Sequence, residues 1–184
     1  MAHLGKLPTF QRYVTGHDDK GKAIIAPEID SNPPWQTNIE GGRAAFCQAY
    51  VTSGFPIDLN DNKDIDTYKG FLKEPPGIVN TTGTVLRIVD IGPGAESPMH
   101  RTVSLDYGIV LVGEVELVLD SGEKRIMKQG DICIQRGTNH QWNNTSKTEW
   151  ARMMYVLQPS KPIEINGQPL GEDYGTMEGV KKSS

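Results

Sequence analysis

From Thr84 onward the chain is cut into short apolar runs, each closed by a turn signal, and this spacing restricts the fold more than any other feature. "TVLRIVDI" comes first; "DYGIVLVGEVELVLDSGEKRIM" holds two runs around Gly113 and then the turn "DSGE"; "DICIQ", "HQWNN" and "ARMMYVL" follow. Runs this short, rich in Val, Ile and aromatic residues and bounded by Gly, Asp and Asn, predict strands joined by tight turns. Strands recurring so closely predict a sandwich or barrel. The 20 glycines and 12 prolines agree with an all-β class, and 184 residues suit one domain with a sizeable core.

The first half is less regular. Tyr13–Thr15 and Ala23–Ile25 flank the turn-rich "GHDDKGK", which predicts a hairpin. "DSNPPWQT" reads as a Pro-broken loop, and "RAAFCQAYVT" as a strand with a β-branched and aromatic ending. Residues 55–83 read as a long connection with at most one helical turn, a place for a lid or a partner contact. The expected organisation is one structural domain. Residues 1–83 supply N-terminal strands and the connection, 84–160 the barrel core, and 161–184 a C-terminal extension with a mobile end.

Net charge is −4 and the pI about 5.6, which argues against a nucleic-acid partner. No apolar run approaches the ~20 residues of a membrane span. "MAHLGKLPTF" lacks the charged-then-apolar layout of a secretion signal, so a cytoplasmic protein is expected. Only Cys47 and Cys133 are present, too few for a disulfide scaffold. Cys133, within "DICIQ", reads as a small buried residue.

Of the four histidines, His3 and His17 read as surface residues. His100 and His140 each stand where a Gly- or Pro-containing loop meets an apolar strand. Side chains alternate along a strand. If His100 points inward, so do Thr102 and Asp106; if His140 does, so do Trp142 and Asn144. Tyr107, Ile109 and Leu111 then face the other way. Buried polar groups in such rows need partners, a metal or a function.

These residues resemble the two signature motifs of the cupin superfamily. For G-x5-H-x-H-x3/4-E-x6-G the chain offers Gly94, His100, Thr102, Asp106 and Gly113, every spacing fitting. Thr102 replaces the second His and Asp106 the Glu. For G-x5-P-x-G-x2-H-x3-N it offers Gly130, Gly137, His140 and Asn144, with the middle one residue shorter. The resemblance covers residues 84–158 and is to small single-domain cupins of fungi and bacteria, several of which accompany secondary-metabolite pathways.

The resemblance implies a cupin-type double-stranded β-helix, a jelly-roll barrel with N-terminal strands extending the sheets, and a homodimer. His100, Asp106 and His140 become the expected catalytic residues and also the possible metal ligands. The cofactor is none or one divalent metal (Zn, Fe, Mn or Ni). The metal-free pocket is preferred because Thr102 is a poor ligand and Asp is a methylene shorter than Glu. Thr102, Arg101, Trp142, Arg152 and Met154 are the expected substrate-binding residues, with Arg101 and Arg136 positioned to receive a carboxylate. The expected function is a lyase- or isomerase-type tailoring enzyme (decarboxylation, dehydration or proton shift) on a polyketide-like metabolite. The alternatives are an Fe(II) oxygenase with a two-His, one-carboxylate site and a non-catalytic ligand-binding cupin.

Overall fold

Asp18 ties the entrance of the chain into a hairpin. Its carboxylate accepts the backbone N–H groups of Lys20 and Lys22 at 2.9 and 2.8 Å, holding the turn between β1 (Thr15–His17) and β2 (Ala23–Ile25). The first strand begins where the predicted one ends, and Thr15 pairs with Ile25. The computed structural model describes residues 7–178 and 180–183; His3 lies outside them, and His17 is exposed.

The Pro-broken loop ends in a strand that the sequence reading missed, β3 (Trp35–Ile39). Pro33 and Pro34 stop just short of it, and β3 takes a sheet edge beside β4 (Ala44–Val51). A strand there needs hydrogen bonds on one side only. In β4 alternate residues Ala45, Cys47, Ala49 and Val51 are buried.

The connection 55–83 corrects the expectation of one helical turn at most: α1 (Lys63–Lys73) runs for 11 residues. Ile65 and Tyr68, one turn apart, are its buried pair. Asp64 and Asp66 sit in its first turn and Lys73 in its last, each matching the helix dipole. Tyr68 packs with Val51, Val79, Val85 and Leu157.

The remaining strands are β5 (Val85–Ile91), β6 (Ser104–Val112), β7 (Glu114–Leu119), β8 (Lys124–Lys128), β9 (Ile132–Arg136), β10 (His140–Asn143) and β11 (Ala151–Pro159). The larger sheet has six strands in the order β3-β4-β5-β11-β6-β9, and the smaller three in the order β10-β7-β8. Isolated bridges from Glu96 to Asn143 and from His100 to His140 continue the smaller sheet past β10. Val89, Val110, Val115, Met127, Trp142 and Met153 fill the space between the sheets. Fully burying one such side chain contributes about 1.5–3 kcal/mol. The chain is thus an all-β double-stranded β-helix, with β3 and β4 extending the larger sheet. Among the described residues, no helix is long and apolar enough to cross a membrane.

One further expectation is corrected. Cys133 is half-buried, because β9 is an edge strand whose Ile132 and Ile134 face outward, 65% and 48% exposed. The C-terminal extension forms a hairpin of β12 (Ile163–Ile165) and β13 (Gln168–Leu170). It then returns to the barrel, where Tyr174, Met177 and Val180 pack against the cluster around Tyr68. Near its end it lies so close to Gly77 that a Cβ there would fall 2.0 Å from the Lys182 carbonyl oxygen.

Candidate functional site

Between the two sheets lies a cavity with an empty volume of about 930 Å³, mouth included. Its walls are mostly apolar, from Ile39, Phe46, Val89, Trp142, Leu157 and Met177. The polar groups on it include His100, Thr102, Asp106, Gln135, His140 and Arg87, with Glu40, Arg43, Glu96 and Ser97 also on its lining.

His100 and His140 exchange both backbone hydrogen bonds, each 2.9 Å, which fixes their side chains on one face. The ring centroids are 4.3 Å apart. His100 Nδ1 lies 2.9 Å from the Pro98 carbonyl oxygen, and His140 Nδ1 lies 3.0 Å from that of Thr138. A carbonyl can only accept, so in the neutral rings Nδ1 carries the proton and Nε2 keeps its lone pair. Burial pushes the His100 pKa down. Burial and the neighbouring His100 push His140 down to about 3. Both rings are therefore neutral at pH 7. The Trp142 indole meets His140 edge-on, centroids 5.6 Å apart, and holds its plane.

Asp106 comes from β6, where Ser104, Asp106, Gly108 and Val110 form the inward row. Burial pushes its carboxyl up to about 6, against the opposing pull of hydrogen bonding from Ser104 and Thr102 and of the more distant Arg87 charge. One carboxyl oxygen, Oδ1, is buried with no hydrogen-bond partner. A carboxyl raised toward neutrality on a cavity wall is suited to proton exchange through its other oxygen.

The residues were tested as a metal site on their own geometry. Among the described residues no group of three or more His, Cys, Asp or Glu side chains is placed to hold one ion. The expected trio His100, Asp106 and His140 lines one cavity but is not placed as a three-ligand ion site. The paired imidazoles are the strongest donors on the cavity wall, which Asp106 also lines.

The expected substrate-binding set divides. Thr102 and Trp142 line the cavity. Arg152 and Met154 do not, because the inward row of β11 is Met153, Tyr155 and Leu157. Arg152 faces the outer side of the larger sheet, in an ion pair with Asp90 through Nε–Oδ1 at 2.6 Å and Nη2–Oδ2 at 2.8 Å. Met154 packs there with Phe10 and Trp35. Arg101 is also corrected: its Nε donates to the Gly171 carbonyl at 2.8 Å, and it does not line the cavity. Arg136 is exposed at the end of β9. The sequence reading missed Arg87, Gln135 and Tyr155. Strict alternation from Val85 would have turned Arg87 inward, but the run around it reads as plain core.

Comparison with known proteins follows the same lines. Residues 87–157 match a family described as "Cupin domain". The chain is 52% identical over 166 residues to phomopsin biosynthesis cluster protein D of Diaporthe leptostromiformis, spanning 90% of this chain and 87% of that one. It is 42% identical over 171 residues to oryzines biosynthesis cluster protein J of Aspergillus oryzae, spanning 92% and 94%. It is also 42% identical over 166 residues to a Neurospora crassa protein named cupin-domain-containing oxidoreductase srdB, spanning 90% and 82%.

Proposed function

The chain belongs to the cupin family, and from that premise we propose that it is a lyase- or isomerase-type tailoring enzyme acting on a small polyketide-like molecule in its barrel cavity. One observation carries the reading. Both imidazoles commit Nδ1 to backbone carbonyls and keep their Nε2 lone pairs, inside a largely apolar cavity. A neutral imidazole so oriented can take a proton, and His100 is the base of the pair, because His140, pushed down to about 3, is too weak a one. Asp106, held near 6, is the partner acid. A substrate proton placed against Nε2 passes to the ring, and the Asp106 carboxyl supplies a proton to the developing oxyanion or to the departing hydroxyl. Dehydration and double-bond shift need only these transfers; in decarboxylation the base holds the acid as its carboxylate, CO2 departs, and the enolate carbon left behind takes a proton. The apolar walls keep water from quenching the carbanion or enolate, and Trp142 and Phe46 supply flat surfaces for an aromatic or conjugated substrate.

The test is incubation in D2O with a panel of β-keto acids, β-hydroxy ketones and conjugated enones, read by mass spectrometry. Solvent deuterium in the product is expected. It should fall by a factor of roughly 10²–10⁴ in a His100→Ala/His140→Ala double variant, the usual worth of positioned acid–base groups. Undiminished turnover in that variant ends the reading. Oxidative chemistry is the second reading, favoured by the name of the Neurospora crassa relative and by the two free Nε2 atoms, two of the three protein ligands of an iron facial triad. Oxygen consumption after Fe(II) loading separates the two.

A further inference from the structure

Two arginines are buried in the barrel, and the chain treats them differently. Arg152, 6% exposed, meets the Asp90 carboxylate through two hydrogen bonds. Arg87, 7% exposed, makes no such pair. Of its five N–H donors, one Nη2 hydrogen reaches the Gly77 carbonyl at 2.9 Å, and Nε is buried without any partner. The guanidinium lies 5.3 Å from the centre of the Phe46 ring. No ion pair within 4 Å reaches it among the described residues. The groups that act on its charge are Tyr174, Cys47 and, more weakly, Asp106. Burial holds the Tyr174 hydroxyl and the Cys47 thiol in their neutral forms at pH 7. Asp106 acts from beyond ion-pair distance.

An uncompensated buried cation is costly, and folded chains retain one where something else supplies the anion. Arg87 lies on the wall of the cavity that holds the imidazole pair. We propose that Arg87 is the anchor for a carboxylate on the substrate, so that the cavity takes a largely apolar carboxylic acid. This rests on the reading of the cavity as a substrate site and narrows its substrate class. Nε is closed off by the fold, so the carboxylate would accept from Nη1 and the Nη2 hydrogen that Gly77 leaves free, an end-on fork that a carboxylate matches. The Phe46 ring would hold the guanidinium plane, and the Gly77 carbonyl its far edge. The rest of the molecule would lie along Val89 and Trp142 toward His100 and His140. Once the ligand neutralises Arg87, Asp106 loses a charge that favours its ionised form, so binding also makes the carboxyl a better proton donor.

The experiment reads affinity, not turnover. Benzoate, 4-phenylbutyrate and octanoate are titrated against the full chain, each beside its primary amide, by calorimetry. The wild-type protein is expected to bind at least one carboxylate about tenfold or more tightly than its amide, the worth of one charge-assisted paired contact. Arg87→Met should remove that preference while keeping amide affinity, and should leave the thermal midpoint unchanged or higher, since an unpaired buried charge has gone. Arg87→Lys keeps the charge without the fork and should retain a smaller preference. His100→Ala/His140→Ala should leave the preference intact. Equal binding of acids and amides by the wild type overturns the proposal, and that arm does not depend on any variant folding. A preference that survives Arg87→Met overturns it as well, and a collapse of stability in that variant would assign Arg87 to bracing the Gly77 loop. None of these outcomes bears on the histidine chemistry, which stands or falls on deuterium transfer.

Discussion

Asn144, the last residue of the second motif, is a strut and not a site residue. Its side-chain amide donates to the carbonyls of Ile91, Gly92 and Glu149 at 3.0, 3.0 and 2.8 Å, and its oxygen accepts from the Ser146 N–H at 3.0 Å. It thereby joins the end of β5 to the loop before β11. Asn144→Ala strands these buried groups and should cost about 1–3 kcal/mol, read from urea unfolding. Asp90 is fully buried against Arg152. Asp90→Ala leaves that guanidinium unpaired and should cost about 3–5 kcal/mol, whereas an Asp90→Leu/Arg152→Met double variant should recover most of it; equal losses in both would deny the pair its role. At this scale the sequence was legible where one face of a strand was polar. The inward row Thr102, Ser104 and Asp106 alternates with Val103, Leu105 and Tyr107, so the phase could be read. Arg87 was not legible, because Val85, Ile88, Val89 and Ile91 around it are buried on both faces of β5 and no polar alternation marks which face holds the cavity.

The elements that eluded sequence reading depend on distant partners. β11 is covered on both sides: Met153 and Leu157 face the barrel, and Met154 faces Phe10 and Trp35. Its two rows are similarly apolar, so the phase of "ARMMYVL" cannot be found locally, and a register shift between Arg152 and Met153 disturbs the count further. The cover for its outer row comes from residues around two prolines, which locally read as loop. The helix α1 is a comparable case. With Gly70 inside it and only Ile65 and Tyr68 buried, its apolar face is too narrow to announce a helix. Tertiary contacts make it: the Tyr68 hydroxyl donates to the Gln48 carbonyl at 2.8 Å and meets the Arg12 guanidinium. The ring packs 4.6 Å from that of Tyr50. Tyr68→Ala should therefore cost about 3–5 kcal/mol and speed amide exchange across residues 63–73 more than in β5. Uniform exchange along the chain would mean that α1 is not held this way.

For the molecule as a whole, buried titrating groups set how stability varies with pH. Asp106 is raised from its ordinary 3.8 to about 6. The folded state binds that proton more tightly, so its contribution is full below 3.8 and is lost as pH rises through 6. His140 is lowered from 6.5 to about 3, and His100 is lowered too. Their contribution is present above 6.5 and is lost as pH falls. Between pH 6 and 4 the carboxyl and His140 oppose each other, leaving a net acid loss from His100. Asp106→Asn removes the opposing group and should steepen the fall in urea midpoint over that interval; superimposable wild-type and variant profiles would contradict it. The backbones that carry these two rings also form the isolated bridge at the end of the smaller sheet. Because each histidine's backbone fastens the other's, the rings cannot separate unless that seam unzips. Pairing of the two imidazoles and closure of the barrel at this end are then one event, so under the proposed function a partly opened molecule would hold no half-working centre from which a reactive intermediate could escape.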